Sequence, residues 1–105
     1  MDAIPLFSNY PITATMADRG RLVSFSQDWL GVMVTASAVD SASAVFKVQW
    51  SNDGTTWFDP ATPDTVGTLT APGTVVGRFT VKAIYWRLAT ALTGSSITCT
   101  ASALC

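Results

Sequence analysis

The chain has 105 residues, of which 49% are hydrophobic and 12% charged, and a formal net charge of −1. That length suits one domain, and the apolar content excludes a chain disordered over most of its length. No basic run offers a footprint for nucleic acid. With no His and no Glu in the sequence, nucleophile–base pairs and paired-glutamate chemistry lack their parts.

Residues 1–11 hold Pro5 and Pro11 with Leu6, Phe7 and Tyr10 between them. Proline resists a regular ladder, so the reading is an extended N-terminal arm ahead of a domain over residues 12–105. Three large apolar side chains on an arm call for cover. The expected cover is a neighbouring polypeptide, with Leu6, Phe7 and Tyr10 as anchors; the alternative is an added edge strand on the arm's own sheet. The opening residues lack a basic n-region and are broken by proline, so no secretory signal is expected. No apolar run approaches the ~18 residues of a membrane helix. The expectation is a soluble chain made in the cytoplasm.

Strand signals then follow one another. Residues 12–16 are short. Asp18, Arg19 and Gly20 mark a turn before a strand over 21–26. Along 30–39, Leu30, Val32, Val34, Ala36 and Ala38 fall on one face, and 40–43 read as a turn. Residues 44–50 alternate cleanly, with Phe46, Val48 and Trp50 one way and Lys47 and Gln49 the other, which is the period of a half-buried antiparallel strand. Ser51, Asn52, Asp53 and Gly54 form a hairpin turn, since Asn, Asp and Gly tolerate positive φ. The chain returns over 55–58 with Trp57, and Pro60, Pro63 and Asp64 mark a loop.

Residues 65–70 and 74–81 are strands around a turn at Ala71, Pro72 and Gly73. In the second, Val75, Phe79 and Val81 oppose Arg78 and Lys82. Ile84, Trp86 and Leu88 are expected inward, and Tyr85 and Arg87 outward. After a turn at Thr93, Gly94 and Ser95, a last strand puts Ile97, Cys99, Ala101 and Ala103 on one face. Many short strands with regular turn signals and no helical period predict an all-β fold: an antiparallel β-sandwich, jelly-roll-like, of about eight short strands. Phe46, Val48, Trp50, Phe79, Ile84, Trp86 and Leu88 are its expected core.

Chemistry-bearing residues are few. Asp53, Asp59 and Asp64 surround one loop, but their spacing fits no calcium loop and no Glu supplies a bidentate ligand. Two cysteines without His do not make a zinc site. On an extended strand Cys99 and Cys105 sit ~20 Å apart, beyond the ~7 Å limit between bridged Cα atoms. No metal, cofactor or disulfide is expected, and no enzymatic activity. Trp29 and Trp57 lie beside turns and are candidates for contact. Arg78, Lys82, Arg87 and Lys47 fall on outward faces.

The stretch Phe46, Lys47, Val48, Gln49, Trp50, Ser51, Asn52, Asp53, Gly54, Thr55, Thr56, Trp57 resembles the central hairpin of discoidin-like (factor 5/8 C-type) jelly rolls, and Tyr85, Trp86, Arg87, Leu88 is similar to their later aromatic strand. The resemblance covers roughly residues 45–90. The same hairpin is similar to one in small jelly-roll or β-sandwich proteins of tailed-phage virions, and the size and the Ser, Thr, Ala and Val content lie closer to that group. This resemblance implies a viral structural protein: a capsid decoration (cement) protein that binds the major capsid protein and copies of itself, a trimer being one form of the homo-oligomer. Its expected place is the capsid surface of the virion. Leu6, Phe7, Tyr10, Trp57, Arg78 and Arg87 are the expected partner-binding residues. The alternatives are a carbohydrate-binding module, with glycan as ligand and the Trp residues as its platform, and a neck or tail adaptor.

Overall fold

The computed structural model describes residues 3–17, 20–22 and 28–104. Seven strands follow in chain order: β1 (Ala3–Ile12), β2 (Met16–Ala17), β3 (Arg21–Leu22), β4 (Trp29–Ser51), β5 (Asp64–Leu69), β6 (Gly73–Thr80) and β7 (Tyr85–Leu104). Every pairing is antiparallel and all seven belong to one sheet. The fold is all-β and antiparallel, as the alternation requires. The strand predicted over 21–26 is β3 at its start; residues 23–26, the turn residues Asp18 and Arg19, and Cys105 lie outside the described residues.

Two strands are far longer than expected. β4 has 23 residues and β7 has 20. Fully extended, β4 would reach ~75 Å at ~3.3 Å per residue, yet the molecule measures 39 Å along its longest axis. Both strands therefore fold over near their middles. The segments around 40–43 and 93–95, expected to be separate turns, lie side by side, with Ala42 opposite Gly94 and Ser43 opposite Thr93. Because the two bends are paired to each other, the ladder runs through them and four predicted short strands become two long ones. Ser41 (φ 45°) and Gly94 (φ 103°) carry the bend in left-handed backbone. A Cβ at Gly94 would run into the Ser41 carbonyl oxygen, so only glycine fits there.

Folding the β4–β7 ribbon over gives two layers, a sandwich-like arrangement made from one sheet. Layer one holds residues 29–36 of β4, flanked by β6 on one side and residues 96–104 of β7 on the other, with β1 beyond. Layer two holds residues 43–51 of β4, flanked by β5 and by residues 85–94 of β7, with β2 and β3 beyond.

The core lies between the layers. From β4 it takes Leu30, Val32, Val34 and Ala36, then Ala44, Phe46, Val48 and Trp50; from β7 it takes Trp86 and Leu88, then Ile97, Cys99, Ala101 and Ala103. On β7 the core positions change from even at Trp86 and Leu88 to odd at Ile97 and Cys99 across the bend. A register shift between Ala36 and Ala38 turns Ala38 outward, so the face predicted for 30–38 ends at Ala36. Trp50 and Trp86 sit directly opposite each other and are buried. Phe79 is half-buried against the cluster. Ile84 is the miss: it is 55% exposed, because β7 begins at Tyr85 and the ladder's alternation does not reach it.

Residues 3–12 take the intramolecular course. β1 pairs with β7 from Ala3 opposite Leu104 to Ile12 opposite Ile97, with register shifts either side of Phe7. Leu6 and Phe7 pack half-buried on the chain's own core, while Tyr10 is 45% exposed with its ring centroid 5.8 Å from that of Phe7. The predicted strand over 55–58 shrinks to a single bridge between Phe58 and Trp50.

Candidate functional site

The hairpin tip is built for shape. The Ser51 hydroxyl accepts from the amides of Asp53 and Gly54 and donates to Asp53 Oδ1. Asp53 Oδ1 in turn accepts from the amides of Thr55 and Thr56, at 2.9 and 2.7 Å. The Thr56 and Thr55 amides, with the Ser51 hydroxyl, hold the Asp53 carboxyl well below the usual carboxylate range. Gly54 at φ 79° closes the turn. The fold-marking hairpin thus uses its polar groups on itself.

The three loop aspartates do not converge. Asp53 caps the turn, Asp59 pairs with Lys47 at 3.1 Å, and Asp64 accepts from Lys82 at 2.8 Å and from the Trp50 indole N–H at 2.8 Å. The last contact satisfies a buried donor. Cys99 is fully buried, and desolvation pushes its thiol up to about 11, which leaves it a packing residue.

Each Trp carries a cation near its ring. Arg78 lies 4.0 Å from the Trp29 centroid, Arg87 4.6 Å from Trp57, Lys82 5.6 Å from Trp50 and Arg21 5.8 Å from Trp86. With Lys47 on Asp59, five of the chain's six basic residues are engaged within the molecule. The sixth, Arg19, lies outside the described residues. Sequence reading placed Arg78 and Arg87 outward correctly but missed these pairings, since the partners lie far apart in the chain.

The outer faces of the two layers differ. On layer two, Lys47, Gln49 and Arg87 line a hollow of about 390 Å³ with Thr15, Met16 and Thr90. Arg87 donates to Gln49 Oε1 at 2.8 Å while lying over Trp57, so this face is polar and internally paired. On layer one, Met33 sits between Val76 of β6 and Ser102 of β7, and Gly31 sits opposite Arg78. Gly31 has no side chain, so a hollow of about 320 Å³ opens there among Trp29, Met33, Val76 and Arg78. Val76 is 62% and Met33 46% exposed.

The structure therefore brings two predicted contact residues, Trp29 and Arg78, together in an open apolar groove. It puts Trp57 and Arg87 together on the opposite layer, and Leu6, Phe7 and Tyr10 on β1. Met33 and Val76 escaped the sequence reading. Their signal was the unbroken apolar run Val32, Met33, Val34 and the pair Val75, Val76, which leave apolar side chains on both faces of a strand where alternation leaves one. Comparison with family models, curated proteins and solved structures gives no match, so the face is read from its own chemistry.

Proposed function

We propose that the chain is a non-catalytic structural module that binds another protein's surface, as a capsid decoration (cement) protein binding the major capsid protein of a tailed-phage virion. The observation that carries the binding role is the open groove of Trp29, Gly31, Met33, Val76 and Arg78 on layer one. Exposed apolar area rimmed by polar groups is the mark of an interaction surface, and a shallow apolar groove with one Arg and one Trp suits a protein partner. The hairpin resemblance and the low charge support the virion assignment. A glycan platform needs an open aromatic face, and a guanidinium lies over both Trp29 and Trp57, which favours the protein partner over a sugar.

The test is co-sedimentation of the purified chain with shells of the encoding virus stripped of accessory proteins, run beside a glycan array. Saturable binding to shells with a silent array is expected. Specific glycan capture without shell binding would overturn the reading.

A further inference from the structure

Sheet edges invite pairing with other strands, and folded proteins blunt them with short strands, prolines, bulges or charges. Four of this sheet's edge strands follow that rule. β1 carries Pro5 and Pro11 and two register shifts. β2 and β3 have two residues each. β5 has six, follows Pro63, begins with Asp64, and is interrupted by a register shift against β4. β6 is different. It runs eight residues without proline, its ladder to β4 is unbroken from Thr80 to Gly73, and among the described residues no strand pairs with its other side. Its one charge, Arg78, leans over Trp29.

The direction of the free backbone groups can be worked out. The Val81 amide donates to the Asp28 carbonyl at 3.1 Å, so residue 81 turns its backbone groups toward β4. Alternation along a regular ladder then turns Val75, Gly77 and Phe79 toward β4, and Thr74, Val76, Arg78 and Thr80 away from it. The Thr35 and Thr74 hydroxyls, 3.0 Å apart, fit the closer side-chain spacing of a non-hydrogen-bonded pair there. The Thr80 carbonyl, which accepts from Lys82 Nζ at 3.0 Å, is on the outward set.

We infer that the free edge of β6 pairs antiparallel with β6 of a second copy of this chain across a two-fold axis. A two-fold antiparallel pair sets residues of equal parity opposite one another, so the outward-pointing backbone groups meet and each chain keeps its inner and outer faces. The register that puts Val76 opposite the second copy's Val76 also puts Thr74 opposite the second copy's Arg78. That keeps the two guanidinium groups apart and makes the central pair apolar. The seven-stranded sheet then continues across the axis, and the two layer-one grooves, each lined by Val76, join into one apolar strip. This pairing rests on the edge geometry alone and stands whether or not the partner of that strip is a shell.

Sedimentation velocity over a wide concentration range tests it, with wild type and two variants. In Val76→Pro the lost N–H points away from β4, so the internal ladder stays whole; Val76→Lys adds an edge charge instead. The wild type should shift from the 11.1 kDa monomer to twice that mass as concentration rises. Both variants should remain monomers with unchanged circular dichroism. If Val76→Pro does not fold, Val76→Lys decides alone. A wild type monomeric throughout, or folded variants that dimerise as the wild type does, would overturn the inference. Neither result depends on shell binding, so failure of this pairing and failure of the proposed function are read separately.

Discussion

The two layers are halves of the same two strands, yet their outer faces have opposite characters. On layer two the outward positions carry Lys47, Gln49 and Arg87, each bonded or stacked within the molecule. On layer one they carry Trp29, Met33 and Val76 around the gap left at Gly31. Such a contrast within one sheet shows where burial has been completed and where it has not. The layer-two face has its polar groups satisfied and would lose them on docking. The layer-one face gains by being covered, at roughly 25 cal/mol per Å² of apolar surface removed from water. A second contrast lies within layer one, at its two edges: β1 is bulged and proline-bearing, while β6 on the other side is regular.

The largest expected effect removes the contrast by unfolding both layers. Trp50 is fully buried and packs opposite Trp86, so Trp50→Ala should cost about 3–5 kcal/mol, much of a small domain's stability. Urea melts would show it, and a loss below about 1 kcal/mol would mean that the inward face is misassigned.

Next in size is the tie between layers at Asp64. This carboxylate, at the start of β5, joins Trp50 of β4 to Lys82 in the connection after β6. Asp64→Ala leaves the buried Trp50 indole N–H without its acceptor and should cost about 1–3 kcal/mol. Trp86 offers the control: among the described residues its buried indole N–H has no hydrogen-bond partner, so Trp86→Phe should lose packing and the Arg21 contact but no hydrogen bond, while Trp50→Phe also removes one of the two partners of Asp64 and leaves it Lys82. Equal losses in thermal melts of the two Phe variants would deny the Asp64 bond its role.

Much of the fold could be read from the residues. Phe46, Val48 and Trp50, and later Ile97, Cys99, Ala101 and Ala103, announced their buried faces by alternation, and the structure buries all of them. The continuity of β4 and β7 could not be read. Segments 40–43 and 93–95 look like turns when each is taken alone, and only their pairing with each other makes them a bend within a ladder. Ile84 failed because alternation was extended past the strand's start. The arm's prolines suggested a strand unfit for a ladder, but an edge strand with register shifts accommodates them, and residues 3–12 take that place. The groove was harder still. It depends on a missing side chain at Gly31 and on Val76 lying beside Met33, and nothing local in the sequence brings those strands together.

The smallest expected change in stability belongs to the face that matters most for binding. Met33 and Val76 are exposed, and substitutions at such positions usually shift stability by no more than about 0.5 kcal/mol. That makes function separable from folding. The most direct measurement is a paired binding assay on undecorated shells with Met33→Asp on layer one and Gln49→Asp on layer two, each checked for an unchanged melting temperature. A buried charge in an apolar contact is strongly unfavourable, so Met33→Asp should abolish binding while Gln49→Asp retains it. Binding that survives Met33→Asp and disappears with Gln49→Asp would place the working surface on the wrong layer and contradict the account.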